Sequence, residues 1–252
     1  MVFFCTLVLF RIPSEFHLSF AKKSNGHSQK KMDAKVQSNE QLFEALITGL
    51  LTEGYALADG FLSSLEVQDI LEASAGSYEQ GGFNIAGIGK QQYYQLNRNI
   101  RGDHIQWLDH HNPPEACRPF FGRLQEMIRY FNRSLYLGIR DMELHFAVYP
   151  EGAFYKCHLD VFLHTKARKL SIVCYLNFEW AVEDGGQLRL YLPQENGPEQ
   201  HVDILPVAGR LVCFNSQTLE HEVLPGQRKR FSITGWLKDD LPLFAPPLPG
   251  NS

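Results

Sequence analysis

The second half of the chain consists of short segments that alternate apolar and polar residues. After Gly138, about eight such segments follow one another in roughly a hundred residues, separated by Pro, Gly, Asp and Asn. The segments are MELHFAVY, YKCHLDVF, KLSIVCYLNF, GQLRLYL, HVDIL, RLVCFN, LEHEV and RFSITGWL. Many short strands separated by turn signals are typical of a sandwich or barrel, and the simplest such architecture is a jelly roll.

The first half shows helical patterns instead. One helix is predicted from Asn39 to just before Gly54, and a capping box at Ser63 and Glu66 predicts a second helix that ends near Gly76. A third amphipathic pattern follows Pro114 and includes Phe120, Phe121, Leu124, Met127, Ile128, Phe131 and Leu135. The predicted fold class is therefore α+β: a double-stranded β-helix (jelly roll) with supporting N-terminal helices.

The composition indicates one folded domain with an extension at each end. The chain has 252 residues, of which 44% are apolar and 21% are charged, as expected for a globular protein. We expect this domain over residues 39–240, with the jelly-roll core at about 140–238. Residues 1–38 are predicted to be a disordered or mis-assigned N-terminal extension, with Met32 a candidate start, and residues 241–252 a flexible tail.

Charge, cysteines and hydropathy limit the partners. A net charge of −4 gives no sign of a nucleic-acid site. Five cysteines without a C-x-x-C pair disfavour a disulfide framework and a thiolate zinc site, so we expect a cytoplasmic location. The N-terminal run MVFFCTLVLF is too short to span a bilayer and lacks the flanking signals of a secretory leader, which stays the less favoured alternative. We expect a monomer without a membrane partner.

Three residues form a candidate metal site. His158 and Asp160 are one residue apart within YKCHLDVF, and on a strand they would project to the same face, with Leu159 on the opposite, packed face. His221, in NSQTLEHEV, supplies a third ligand. Two histidines and a carboxylate leave three positions of an octahedral metal open, as in non-haem Fe(II) oxygenases. The alternatives are an ordinary half-polar strand and competition from His145 or His164.

A basic residue follows the third ligand. Arg230 shares one strand face with Ser232, Thr234 and Trp236. A guanidinium that points into a barrel needs an anion, and its geometry suits a carboxylate. The implied ligand is a small dicarboxylate that chelates the metal with its other end. Tyr149 and Tyr175 lie on strand faces from which a phenol could donate a hydrogen bond to the same acid, and Cys157 and Cys174 are predicted to be core residues.

These residues carry a resemblance to a known family. Residues 42–238 resemble the 2-oxoglutarate- and Fe(II)-dependent dioxygenases, most closely the oxygen-sensing type of prolyl 4-hydroxylase domain and its bacterial relatives. The matching segments are IRGDHIQWL (100–108), AVYPEG (147–152), HLD (158–160), YLN (175–177), EDGGQLRLY (183–191), LEHEV (219–223) and RFSITGW (230–236). Asp103, in the first segment, either orders the preceding loop or closes a turn.

The resemblance implies a role for each site residue. Fe(II) would be held by His158, Asp160 and His221, and these residues together with Arg230 form the implied catalytic set. Arg230 would bind the distal carboxylate of 2-oxoglutarate with help from Tyr175, while Tyr149, Trp236 and, with less support, Ser232 would complete the pocket. The loop at 83–102 would contact a protein substrate that contains the target proline.

The implied reaction is prolyl 4-hydroxylation by O2, coupled to decarboxylation of 2-oxoglutarate to succinate and CO2, with ascorbate as reductant. Two alternatives stay open because a fold does not fix a function. One is hydroxylation of another side chain or of a small molecule. The other is a non-catalytic jelly-roll protein that binds or senses a ligand. Oxygen sensing is a further expectation that depends on the affinity for O2.

Overall fold

A computed structural model describes residues 39–87, 97–161, 167–193 and 200–239. The predictions for residues 1–38 and 241–252, for His164 and for the middle of the loop at 83–102 lie outside these ranges. No helix within the described ranges is long and apolar enough to cross a bilayer.

Three α-helices precede most of the strands: α1 (Asn39–Glu53), α2 (Ser64–Glu79) and α3 (Arg118–Leu135). The predicted capping box is present, since Ser63 N donates to Glu66 Oε2 at 2.7 Å and Glu66 N donates to Ser63 Oγ at 3.3 Å. The prediction that α2 ends near Gly76 is wrong, because the helix continues to Glu79. The chain leaves the helix at Gly81, whose φ of 78° is accessible to glycine at little cost.

Eleven strands within the described ranges form two antiparallel sheets. They are β1 (Tyr55–Ala58), β2 (Asn84–Ile85), β3 (His104–Leu108), β4 (Asp141–Tyr149), β5 (Tyr155–His158), β6 (Arg168–Tyr175), β7 (Leu188–Leu192), β8 (Gln200–Ile204), β9 (Leu211–Asn215), β10 (His221–Val223) and β11 (Arg230–Lys238). The larger sheet has seven strands in the order β1-β9-β6-β11-β4-β3-β2, and the smaller has four in the order β5-β10-β7-β8. The strands β4 to β11 correspond to the predicted segments, and the jelly roll is confirmed.

Alternation along the strands divides the interior into two cores. The outer face of the seven-stranded sheet packs against the helices, and Ile233 and Leu237 of β11 are fully buried there. The inner face packs against the four-stranded sheet, where Tyr149 and Tyr175 lie among aliphatic side chains. Because side chains of a strand alternate between its faces, Arg230 and Ser232 face the second core. The space between the two sheets therefore holds both apolar packing and the polar residues of the candidate site.

Candidate active site

The three predicted metal ligands come together at one end of the smaller sheet. His158 is the last residue of β5 and His221 the first of β10, and the two are direct cross-strand partners. His221 Nε2 lies 3.4 Å from Asp160 Oδ2, and His158 Nε2 lies 3.7 Å from Asp160 Oδ1. One ligand atom from each residue falls within 4.8 Å of the other two. This spacing suits three donors around one ion.

The route by which Asp160 reaches the cluster differs from the sequence prediction. Because β5 ends at His158, Asp160 lies in a bend beyond the strand and does not share a strand face with the histidine. Leu159, expected to be packed, is exposed. Cys157, predicted to be a core residue, is exposed as well, because β5 is an edge strand whose outer face meets solvent, whereas Cys174 is buried as predicted.

Backbone carbonyl groups set the protonation of both imidazole rings. His158 Nδ1 lies 2.7 Å from the carbonyl oxygen of Lys156, and His221 Nδ1 lies 3.3 Å from that of Leu219. A carbonyl oxygen only accepts hydrogen bonds, so Nδ1 carries the proton in each ring. With Nδ1 as the donor, Nε2 is the nitrogen of each ring that faces Asp160 and that a divalent metal would bind once it is unprotonated.

The electrostatics of the cluster favour the same state. Burial lowers the pKa of His221 to about 4 despite the opposing charge of Asp160, so this imidazole is neutral at pH 7. Burial alone would raise the pKa of Asp160, but His221, His158 and a hydrogen bond from Ser171 outweigh it and hold this pKa well below its usual range. The cluster thus places an ionised carboxylate beside two imidazole nitrogens, one of which, that of His221, is unprotonated at pH 7.

His145, the competing candidate ligand, lies apart from this cluster. It occupies β4 opposite Thr234 of β11, and its ring packs against Trp107 at 4.9 Å and Trp236 at 5.6 Å between centroids. Burial lowers its pKa to about 4, and its Nδ1 has no hydrogen-bond partner among the described residues. The metal-binding geometry includes His221 and leaves His145 out.

Arg230 occupies a second polar position between the sheets. It is 2% exposed, and its Cζ lies 4.9 Å from the ring centroids of both Tyr149 and Tyr175. Its Nε and the Tyr175 hydroxyl have no hydrogen-bond partner within the described part of the chain. Burial raises the pKa of both tyrosines, so both phenols stay protonated and are potential donors. A buried cation beside unpartnered polar atoms is costly unless an anion binds, so this position between the sheets suits a carboxylate.

The rest of the β11 face extends from Arg230 towards the metal cluster. Ser232 is buried, and its hydroxyl lies 3.1 Å from Thr234 Oγ1; no bond from it to Arg230 is present within the described residues, so its predicted role stays a prediction. Trp236 lies under Arg168, whose Cζ is 3.3 Å from the ring centroid. Arg168 also donates to the backbone oxygen of Asp160 at 3.2 Å. It therefore connects the Trp236 end of the strand with the metal cluster.

Arg101 and Tyr155 were not singled out from the sequence, and the structure decides between the two roles predicted for Asp103. Asp103 is 1% exposed and accepts both hydrogen bonds of a bidentate pair from Arg101, at 2.6 and 2.7 Å. Arg101 lies 4.3 Å above the ring of Tyr155, which in turn stacks on His158 with 3.6 Å between centroids. Asp103 therefore anchors a buried network and does not merely close a turn. The only available signal was the Arg-x-Asp spacing in IRGD, which does not identify the ring that the arginine contacts.

A family model and the curated relatives of this chain indicate the same kind of protein. A family model described as "2OG-Fe(II) oxygenase superfamily" matches residues 144–238. A hypoxia-inducible factor prolyl hydroxylase of Caenorhabditis elegans is 31% identical over 208 residues, which cover 78% of this chain and 28% of that protein. Egl nine homolog 1 of Homo sapiens is 29% identical over 202 residues, 78% of this chain and 46% of the relative. The chain thus spans less than half the length of these curated relatives.

Two solved structures match nearly over their whole length. A Pseudomonas putida prolyl-4-hydroxylase is 38% identical, with a TM-score of 0.69, and the match covers 79% of this chain and 99% of that one. A prolyl hydroxylase from Trichoplax adhaerens, solved with a peptide fragment of the hypoxia inducible factor oxygen degradation domain, is 31% identical, with a TM-score of 0.71 and coverage of 80% and 90%.

The jelly-roll fold, with two histidines and a carboxylate beside a buried arginine, defines the class of 2-oxoglutarate-dependent oxygenases. Within this class, the chain belongs to the prolyl hydroxylase family. The predicted family and fold are confirmed.

Proposed function

We propose that this protein is an Fe(II)- and 2-oxoglutarate-dependent dioxygenase that hydroxylates C4 of a prolyl residue in a protein substrate. Hydroxylation would be coupled to decarboxylation of 2-oxoglutarate to succinate and CO2. The observation that carries the proposal is a pair of polar groups between the two sheets. A cluster of metal-ligand type lies at one end of the smaller sheet, and β11 of the larger sheet carries a buried arginine whose Nε has no hydrogen-bond partner among the described residues.

The donor set fits Fe(II). His158, Asp160 and His221 would hold the ion through two neutral nitrogens and one carboxylate, and three donors leave positions free for other ligands. When bound, Fe(II) supplies the redox chemistry that lets O2 oxidise 2-oxoglutarate and the substrate. We further propose ascorbate as the reductant that keeps the iron in the ferrous state.

Arg230 and its neighbours fit the other end of a dicarboxylate. The guanidinium would pair with the distal carboxylate of 2-oxoglutarate, and the Tyr175 hydroxyl would donate to the same group. Tyr149 would form one wall and Trp236 would form part of the pocket towards the metal, while Ser232 would support Arg230 through the strand that they share. The aliphatic residues of the inner core would exclude water from the bound acid.

A protein substrate is favoured over a small molecule by the relatives. The Trichoplax adhaerens structure contains a peptide of the hypoxia inducible factor oxygen degradation domain, and the curated Caenorhabditis elegans relative is named as a hypoxia-inducible factor prolyl hydroxylase. We propose that the segment 83–102 contacts the polypeptide around the target proline. We also propose a cytoplasmic location, which the free thiols of Cys117, Cys174 and Cys213 favour, and a monomeric state.

Succinate production by two histidine variants tests the proposal. His158→Ala should abolish conversion of 2-oxoglutarate to succinate because it removes a metal ligand. His201→Ala makes the same substitution at an exposed position of β8 and should retain the wild-type rate. Arg230→Ala should also abolish turnover at ordinary 2-oxoglutarate concentrations. Undiminished turnover in either His158→Ala or Arg230→Ala would reject the assignment of the site.

A further inference from the structure

Asp160 differs from the two histidines in its support. His158 and His221 lie on paired strands, whereas Asp160 lies in the bend that follows β5. Strand hydrogen bonds therefore do not fix its side chain. A carboxylate that must meet two nitrogens within 4.8 Å needs another constraint, because a misplacement of about 1 Å is enough to spoil a metal site.

Two buried serines from other strands and turns provide that constraint. Ser171 Oγ lies 2.7 Å from Asp160 Oδ2, and Ser216 Oγ lies 2.8 Å from Ser171 Oγ. Ser171 is on β6, directly opposite Phe214 of β9, and Ser216 follows the end of β9. Ser171 is 2% exposed and Ser216 is 0% exposed, so water does not compete for these bonds.

The direction of both hydrogen bonds follows from the charge of the carboxylate. An ionised Asp160 only accepts, so Ser171 must donate its single proton to Oδ2. The proton between the two hydroxyls must then come from Ser216. The chain runs from Ser216 through Ser171 to Asp160, and each bond polarises the next. The other oxygen, Oδ1, lies 3.7 Å from His158 Nε2 and is the oxygen that would be left for a metal ion.

Arg168 acts on a different part of the same residue. Its Nη1 donates to the backbone oxygen of Asp160 at 3.2 Å, and it pairs with Glu143 at 3.1 Å. The backbone of the bend and the carboxylate are thus anchored separately, both by residues of β6. Within the described ranges, Ser171 is the side chain that donates a hydrogen bond to the carboxylate at ordinary hydrogen-bond length.

We propose that Ser171, oriented by Ser216, is a positioning residue that sets the orientation of the Asp160 carboxylate and thereby the affinity of the metal site. The inference deepens the proposed function and rests on it, since it takes His158, Asp160 and His221 as the metal ligands. Loss of an outer hydrogen bond to a metal ligand typically weakens metal affinity by about 10- to 100-fold. Ser171→Ala should therefore weaken binding by this factor.

Titration of the metal-free protein with Co(II), followed by visible absorption, measures this affinity without any turnover. Ser171→Ala is expected to raise the dissociation constant about 10- to 100-fold, and Ser171→Thr, which keeps the hydroxyl, to restore it to near the wild-type value. Ser216→Ala removes only the second bond and should give a smaller increase. The unfolding temperature of each metal-free variant shows whether the fold itself has changed.

The possible results separate this inference from the proposed function. If wild-type protein does not bind Co(II), the metal site and the proposed function both fail. If wild type binds and Ser171→Ala binds equally well, only the positioning role is overturned. Equal weakening in Ser171→Thr and Ser171→Ala would also overturn it, because the hydroxyl would then not be the cause. Should Ser171→Ala not fold, an unchanged Co(II) affinity in Ser216→Ala would contradict the hydrogen-bonded chain.

Discussion

Replacing Arg230 with methionine should stabilise the ligand-free protein and weaken 2-oxoglutarate binding. Arg230 is 2% exposed, and no carboxylate pairs with it among the described residues. An uncompensated buried charge costs about 3–5 kcal/mol. The contacts with Tyr149 and Tyr175 offset about 1 kcal/mol each. Methionine fills similar space without a charge, so the free energy of unfolding should rise by about 1–3 kcal/mol, or about 2–12 °C in Tm for a domain of this size.

The effect on ligand binding has the opposite sign. Losing the guanidinium partner of a buried carboxylate costs about 2–5 kcal/mol, or roughly 30- to 5,000-fold in affinity. Wild-type protein in 2-oxoglutarate at about 100 times its Kd should gain about 2.7 kcal/mol, which raises Tm by about 5–11 °C. Arg230→Met should gain at most about 0.9 kcal/mol, or about 2–4 °C, at the same concentration.

Thermal unfolding of Mn(II)-loaded protein without O2, with and without 2-oxoglutarate, measures both effects. Arg228→Met is the matched control, because Arg228 precedes the same strand but is exposed and pairs with Asp184 on the surface. The control should respond to 2-oxoglutarate as the wild type does. A full thermal shift in Arg230→Met would show that Arg230 does not pair with 2-oxoglutarate. A ligand-free Arg230→Met less stable than wild type would show that the buried charge does not destabilise the free protein.

Three further outcomes are expected. The pKa of His145 is about 4 when folded against an ordinary value of 6.5, so the unfolded state binds more protons between these values and stability falls as pH drops through this window. In urea unfolding, His145→Leu should reduce the change of unfolding free energy with pH by up to about 1.4 kcal/mol per pH unit. An unchanged pH dependence would show that His145 is not the group responsible. Gly235→Ala would place a Cβ 1.9 Å from the backbone oxygen of Glu143 and should lower the free energy of unfolding by about 3 kcal/mol or more. Gly122→Ala, on the exposed face of α3, should raise the free energy of unfolding by about 0.5–1 kcal/mol. Equal effects of the two substitutions in chemical denaturation would contradict the close packing at Gly235. Tyr175→Phe should raise the KM for 2-oxoglutarate about tenfold or more, because the variant lacks the hydroxyl that would donate to the bound acid. It should not lower the stability of the ligand-free protein, because that hydroxyl has no hydrogen-bond partner among the described residues. An unchanged KM would show that Tyr175 does not contact 2-oxoglutarate.

The predictions that the structure supports rest on local patterns. Alternation along RFSITGWL placed Arg230 and Trp236 on one strand face, and the structure has them on the same face of β11. A capping box requires only residues three apart, so the start of α2 could be read directly. The pairing of His158 with His221 was suggested by ligand type, and the fold supplies it as a cross-strand pair.

The features that the sequence did not reveal depend on contacts between distant segments. Ser171 and Ser216 are 45 positions apart, and nothing in either neighbourhood shows that their hydroxyls meet. The end of β5 at His158 is also not visible in the alternating pattern, which continues through YKCHLDVF. The sequence therefore predicted that Asp160 lies beside the two histidines, as it does in the structure, but it placed Asp160 on the strand and not in the bend that follows.

Oxidation of a prolyl residue at the expense of 2-oxoglutarate can be measured in a lysate. Purified protein is supplied with Fe(II), 2-oxoglutarate, ascorbate and O2 and incubated with a lysate of its own organism, and the peptides are then searched by mass spectrometry. We expect one added oxygen on a proline, absent with His158→Ala and accompanied by succinate. Succinate formation with the oxygen found only on other residues or on a small molecule would contradict the prolyl assignment. The absence of both succinate and hydroxylation in the wild type would contradict the enzyme itself.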